Sequence, residues 1–183
     1  MDKKGDVWIS AVLYFGLGMV ILTIILSAGI PVINKLRDKN VIIQTKEIMQ
    51  VLDKTVLNVA SEGAGSQRTL SVDITKGQMT LLKENDKIEW KFRSNAAISE
   101  PCEEETCSEI KEGNLYIETR KTETKGDYDI IIYLDYSTRD INLESKTPGD
   151  TIITGSNQLS VQNKPCSPNE TCPAKVRVMF EIL

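Results

Sequence analysis

The first 33 residues, MDKKGD (1–6) followed by VWISAVLYFGLGMVILTIILSAGIPVI (7–33), decide the reading of this chain. The second stretch holds no charged residue. As a helix rising ~1.5 Å per residue it would extend about 40 Å, against roughly 30 Å of bilayer hydrocarbon. It is therefore long and apolar enough to cross a membrane. Residues 34–39, Asn-Lys-Leu-Arg-Asp-Lys, form a charged collar. Beyond it Val41, Thr45, Ile48, Leu52, Val56 and Val59 recur every three or four residues, the spacing of an amphipathic helix. Lys46, Glu47, Asp53 and Lys54 are expected mostly on the opposite, solvated side. Glycines at 63 and 65 supply a stop and a hinge over residues 63–66. One long helix over residues 6–62, carrying a transmembrane part at 7–33, is the expectation. Pro31 removes a backbone donor and is expected to kink or locally open it.

Residues 67–183 read differently. Short runs alternate apolar and polar positions, the period of a half-buried strand. Leu70, Val72 and Ile74 make one such run, Ile88, Trp90 and Phe92 a second, and Leu115 with Ile117 a third. Tyr128, Ile130, Ile132, Leu134 and Tyr136 make a fourth, Leu159 with Val161 a weaker fifth, and Val176, Val178, Phe180 and Ile182 the last. Lys76-Gly77, Asn85-Asp86 and Lys125-Gly126-Asp127 have the composition of hairpin turns. The fold class is α+β: a long N-terminal helix packed on an antiparallel, β-rich, sandwich-like head, either a true sandwich or a wrapped sheet.

Composition narrows the chemistry. Residues 1–63 carry 7 Lys/Arg and 6 Asp/Glu, a net of +1, and residues 64–183 carry 15 and 20, a net of −5. An acidic head repels phosphate backbones, so nucleic acid is not an expected partner. Histidine is absent, which removes Ser-His-Asp and Cys-His catalysis and the commonest neutral metal ligand. No nucleotide-binding fingerprint is present. The expectation is a protein without catalytic activity and without a cofactor.

Four cysteines occur in two similar loops, Pro101-Cys102-Glu-Glu-Glu-Thr-Cys107 and Pro165-Cys166-Ser-Pro-Asn-Glu-Thr-Cys172. Two local disulfides, Cys102–Cys107 and Cys166–Cys172, are the simplest reading, each contributing roughly 2 kcal/mol through loop closure. They imply an oxidising compartment. Spacing alone does not exclude crossed pairing, and a four-thiolate zinc site or free thiols remain alternatives. Asn169-Glu-Thr is a glycosylation sequon inside the second loop, so Asn169 is a candidate acceptor. Glu103, Glu104 and Glu105, with Asp127 and Asp129, are oxygen-bearing groups that fit a solvated acidic turn better than a calcium loop. Lysines before the apolar run and Lys35, Arg37 and Lys39 after it favour the reverse orientation by charge bias. The disulfides and the sequon place the head outside instead.

Lys4-Gly5-Asp6 ahead of the apolar run resembles the class III signal peptide of type IV pilins, the archaeal pilin-like proteins in particular. A secretory signal peptide is cut after its apolar stretch, which is then discarded. A cut after Gly5 would instead leave the helix on the mature protein. The resemblance covers roughly residues 1–62. It implies a leader at 1–5, recognition of Lys4 and Gly5 by a prepilin peptidase, and Asp6 as the mature N-terminus. Ser10 stands where bacterial pilins carry a Glu at the fifth mature position, which departs from the bacterial pattern more than from the archaeal one. The implied partners are other copies or related pilins, the peptidase, the pilus assembly machinery and the membrane. The implied role is a cell-surface filament serving adhesion or motility, with Ala11, Gly16, Gly18, Ser27, Ala28 and Gly29 allowing close helix approach. An uncleaved single-pass protein with a disulfide-bonded extracellular binding head is the alternative. A membrane-anchored enzyme or envelope-complex subunit is a more distant one.

Overall fold

The computed structural model describes residues 3–102, 108–124, 126–165 and 175–183, and, within the first seven residues and at position 9, the backbone alone. Helix α1 runs from Lys3 to Glu62 and is followed by eight strands. These are β1 (Gln67–Leu82), β2 (Lys87–Ser94), β3 (Ile110–Glu112), β4 (Leu115–Lys121), β5 (Tyr128–Asp135), β6 (Ile141–Ser145), β7 (Thr151–Asn163) and β8 (Val176–Ile182). The chain divides into two compact units, Met1–Arg37 and Asp38–Leu183. Helix α1 continues through Pro31 without interruption.

Within the second unit the strands form one sheet in the order β3-β4-β5-β2-β1-β7-β8-β6. Every pairing is antiparallel except β6 with β8. The α+β class holds, and the head is a single sheet rather than two facing ones. That sheet curls. Its last strand, β6, comes back beside the β1–β2 turn, where the Leu143 amide donates to Asp86 Oδ1 at 2.9 Å and Lys175 Nζ to Asp86 Oδ2 at 3.2 Å. Asp86 holds this position in a left-handed conformation, φ 51°, which Asp tolerates better than most residues.

The core lies between residues 42–59 of α1 and the concave face of the sheet. Ile42, Met49, Leu52, Val56 and Val59 pack against Val72, Met79, Ile88, Trp90, Ile117, Ile132, Leu143, Val161 and Phe180. The predicted helical stripe is therefore turned slightly: Ile42 and Met49 occupy its centre, while Val41 and Ile48 are half-buried flanks. Asp53, expected on the solvated side, is only 8 % exposed. The helix ends at Gly63, whose φ of 97° suits a left-handed C-terminal stop. Its last carbonyls are then taken by the head. Ser66 Oγ donates to Val59 O, and Asn163 Nδ2 to Val59 O and Ala60 O, at 2.8–3.3 Å. These bonds replace the intrahelical donors that a helix terminus lacks.

Lys76-Gly77 does not turn the chain, contrary to the sequence reading. Both residues lie inside β1, at a register shift between Ile74 and Met79. Gly77 has φ 84°, and a Cβ there would collide with Lys91 O and Phe92 Cβ. Glycine is needed because the neighbouring strand approaches so closely. The other two predicted turns do connect strands, at Asp86 and around Gly126. Strands β3 and β6 and the first half of β7 carry too few alternating apolar residues to have been recognised.

The convex face of the sheet is shielded by long side chains. Tyr116 and Tyr133 stack with ring centroids 5.1 Å apart, Lys111 lies 4.9 Å over one ring, and Lys87 lies 5.0 Å over the other. Such stems cover apolar surface while their charges stay wet. This explains why Ile131 and Tyr133, on the face away from the helix, are nevertheless buried.

Candidate functional site

The feature that most needs a partner is the apolar part of α1. In the first unit Trp8, Phe15, Leu17, Ile24, Ile25 and Ile33 each keep more than half of their surface exposed. None of the apolar window that qualifies as a membrane span is buried within this chain. Burying one such side chain is worth about 1.5–3 kcal/mol, so the run carries tens of kcal/mol of unsatisfied apolar surface. Two of its hydroxyls make no such demand. Thr23 Oγ1 donates to Met19 O at 2.8 Å, and Ser27 Oγ donates to Ile24 O at 2.9 Å. These polar groups are satisfied by their own helix, as an environment without water requires. Gly16, Gly18 and Gly29 have nothing within 4 Å of where a Cβ would stand, so their small size serves no contact inside this chain.

Lys4, Gly5 and Asp6 lie in the backbone of α1; their side chains are outside the description. Cys102 is disulfide-bonded. Its backbone is held beside β4, accepting from Lys121 N at 2.9 Å and donating to Thr119 O at 3.1 Å. Cys107, Cys166, Cys172, Asn169 and the Glu103–Glu104–Glu105 run lie outside the described residues, and the pairing and glycosylation expectations lie there with them. Asp129 is committed to cations on β2, with Lys91 at 3.3 Å and Arg93 at 3.7 Å. Among the described residues no group of three or more acidic or thiol side chains could hold a metal ion.

Two buried carboxylates on the head part of α1 form polar centres that periodicity missed. Asp38, 5 % exposed, accepts from Lys76 Nζ at 2.6 Å, from Asn95 N at 2.6 Å and from Asn95 Nδ2 at 3.3 Å. Burial acts to raise its pKa, but the donors from Lys76 and Asn95 and the Lys76 charge outweigh it. The carboxyl is held below its ordinary value. Asp53 accepts from Tyr136 Oη at 3.0 Å and from Asn114 Nδ2 at 2.6 Å. Asn114 Oδ1 in turn accepts from Arg139 at 2.6 Å. Burial, and next the Asp53 charge, push the Tyr136 phenol well above its usual pKa, so it stays a donor. A hollow of about 450 Å³ opens beside Asp53, between the helix and the β3–β4 turn.

No protein-family model matches the chain, and neither curated proteins nor solved structures gave a match.

Proposed function

We propose that this chain is a structural, pilin-like subunit whose apolar N-terminal helix anchors it in the membrane and then packs with other copies in a surface filament. The observation that carries the reading is the contrast along α1: an apolar part with no buried side chain among the described residues, continuous in sequence with a part that is built into a folded head. Apolar surface on that scale calls for lipid or for other apolar helices. Moving from one to the other keeps it out of water throughout, so the assembly chemistry is packing rather than catalysis. In this reading a prepilin peptidase cuts after Gly5, Asp6 becomes the N-terminus, and the head stands outside the membrane in an oxidising compartment, where it serves attachment or motility. The disulfide at Cys102 agrees with that compartment.

The test is the N-terminal residue of the protein isolated from its native membrane or cell surface. A start at Asp6 supports processing and assembly. A start at Met1 removes the pilin reading and leaves a membrane-anchored head, the alternative that the same apolar helix also serves.

A further inference from the structure

The Asp53 network is more elaborate than helix-to-sheet packing needs. A buried ion pair can often be replaced by apolar residues of similar volume without loss, yet here three side chains are spent on one carboxylate. Arg139 orients Asn114, and Asn114 and Tyr136 orient Asp53; Tyr136 is buried in the apolar core, while Asp53 and Asn114 line an open hollow. Among the described residues each Asp53 oxygen accepts one hydrogen bond, and a carboxylate oxygen has room for two. Spare acceptor capacity therefore remains on a fixed group at the base of a cavity. Gln50, on the preceding turn of the helix, and Lys54 also line the hollow.

We propose that this hollow binds a neutral, polyhydroxylated ligand of saccharide type. Its volume falls within the ~300–1,000 Å³ range of small-molecule sites. Charge selects against ions of either sign. Asp53 and Glu112 are opposed by Lys54, by Lys46, which pairs with Glu112, and by Arg139 behind Asn114. What remains is a set of planar amide and carboxylate groups, suited to paired hydroxyls, with Lys54 methylenes for the C–H face of a ring. Preorganisation of Asp53 lowers the ordering cost of binding. The site lies wholly within the head and does not require filament assembly.

The experiment is saturation-transfer NMR on the full chain in a polyoxyethylene detergent, which carries no sugar headgroup. The probes are the methyl glycosides of glucose, galactose, mannose and N-acetylglucosamine, with lysine methyl ester and inorganic phosphate as charged probes. The expected result is saturable, millimolar binding of at least one glycoside, weakened about tenfold by Gln50→Ala, the loss of one good hydrogen bond. Gln50 is exposed on the helix, so this variant should fold; an unchanged unfolding midpoint verifies it. Lys146→Ala, remote from the hollow, should leave binding unchanged. Absence of binding by all four glycosides overturns the proposal. So does binding that Gln50→Ala and Asn114→Ala leave unaltered, or binding confined to the charged probes. None of these outcomes bears on the N-terminal residue, so failure here is separable from failure of the filament reading.

Discussion

Residues 10–37 and 38–62 belong to one uninterrupted helix, yet they solve the burial problem in different ways. In the first segment apolar side chains surround the whole circumference, and no residue of the apolar window is buried. In the second, one stripe is buried completely, with Met49, Leu52, Val56 and Val59 at 0 % exposure, and the opposite side is mixed, polar and charged residues standing beside the exposed Ile43 and Val51. A helix that is apolar all round has no preferred face, so it needs a surrounding medium or several neighbours. A striped helix needs a single surface and finds it in the sheet of its own chain. The difference lies in how apolar residues are distributed around the axis, more than in how many there are.

The sharpest way to break this comparison is to truncate a large side chain on each side of it. Trp90, fully buried under the striped segment, also donates from Nε1 to Lys76 O at 3.0 Å. Trp90→Ala should destabilise the head by about 3–5 kcal/mol. Phe15→Ala should leave it within ~0.5 kcal/mol of the parent. Urea unfolding of both variants in detergent, followed by far-UV circular dichroism, compares them directly. Equal losses would mean that the apolar segment stabilises the head after all.

Asp38 tests where the head part of the helix begins. Asp38→Ala leaves Lys76 and the Asn95 amide without their acceptor, and Lys76 is exposed enough to regain water. The expected cost is therefore about 2 kcal/mol, below that of a fully buried pair. Its pH dependence has a definite sign. The folded carboxyl titrates below the unfolded value of about 3.9. The stabilisation is thus complete above that value and is lost as pH falls through the folded pKa. The stability gap between parent and variant should be constant near neutrality and close progressively below about pH 4. A gap that persists under acid would show that the Asp38 charge is not what holds the site.

Glycines offer a smaller contrast. Gly77→Ala should cost about 1–3 kcal/mol, because the backbone has a positive φ and the Cβ meets the neighbouring strand. Gly29→Ala, with open space around it and helical backbone, should be neutral or raise helicity slightly in the detergent-bound chain. If the apolar helix packs with copies at its small residues, Gly29→Ala should impair assembly while leaving the head intact. Electron microscopy of cells carrying the variant reads that out.

The smallest effect is expected at Thr45. Its hydroxyl is buried and has no hydrogen-bond partner among the described residues. Thr45→Val removes the unpaired polar atom at nearly constant shape and should raise stability by about 1 kcal/mol. A loss instead would point to an ordered water serving that hydroxyl.

Much of the architecture was legible in local pattern. The helix end at Gly63, the five clearest strands and the turn at Asp86 follow from period and turn chemistry. Errors arose where a local signal had two meanings. Gly77 reads as a hairpin residue because positive φ is needed in turns and in bulges alike. Periodicity centres the stripe on Val41 and Ile48 and puts Asp53 on the solvated side, because a carboxylate is normally evidence for an exposed face. Strand β5 looked half-exposed, and the Tyr116–Tyr133 stack with its two lysines buries the other side.

The sequence by itself determined that residues 7–33 have no stripe to offer a single surface and that residues 67–183 alternate as strands, because both are properties of neighbouring positions. Only the tertiary structure decided that Asp38 and Asp53 are interior. Their partners, Lys76 and Asn95 for one and Asn114 and Tyr136 for the other, arrive from strands and turns far along the chain. A buried carboxylate is stable only when such donors converge on it, and that convergence depends on strand order and register, which no local period encodes.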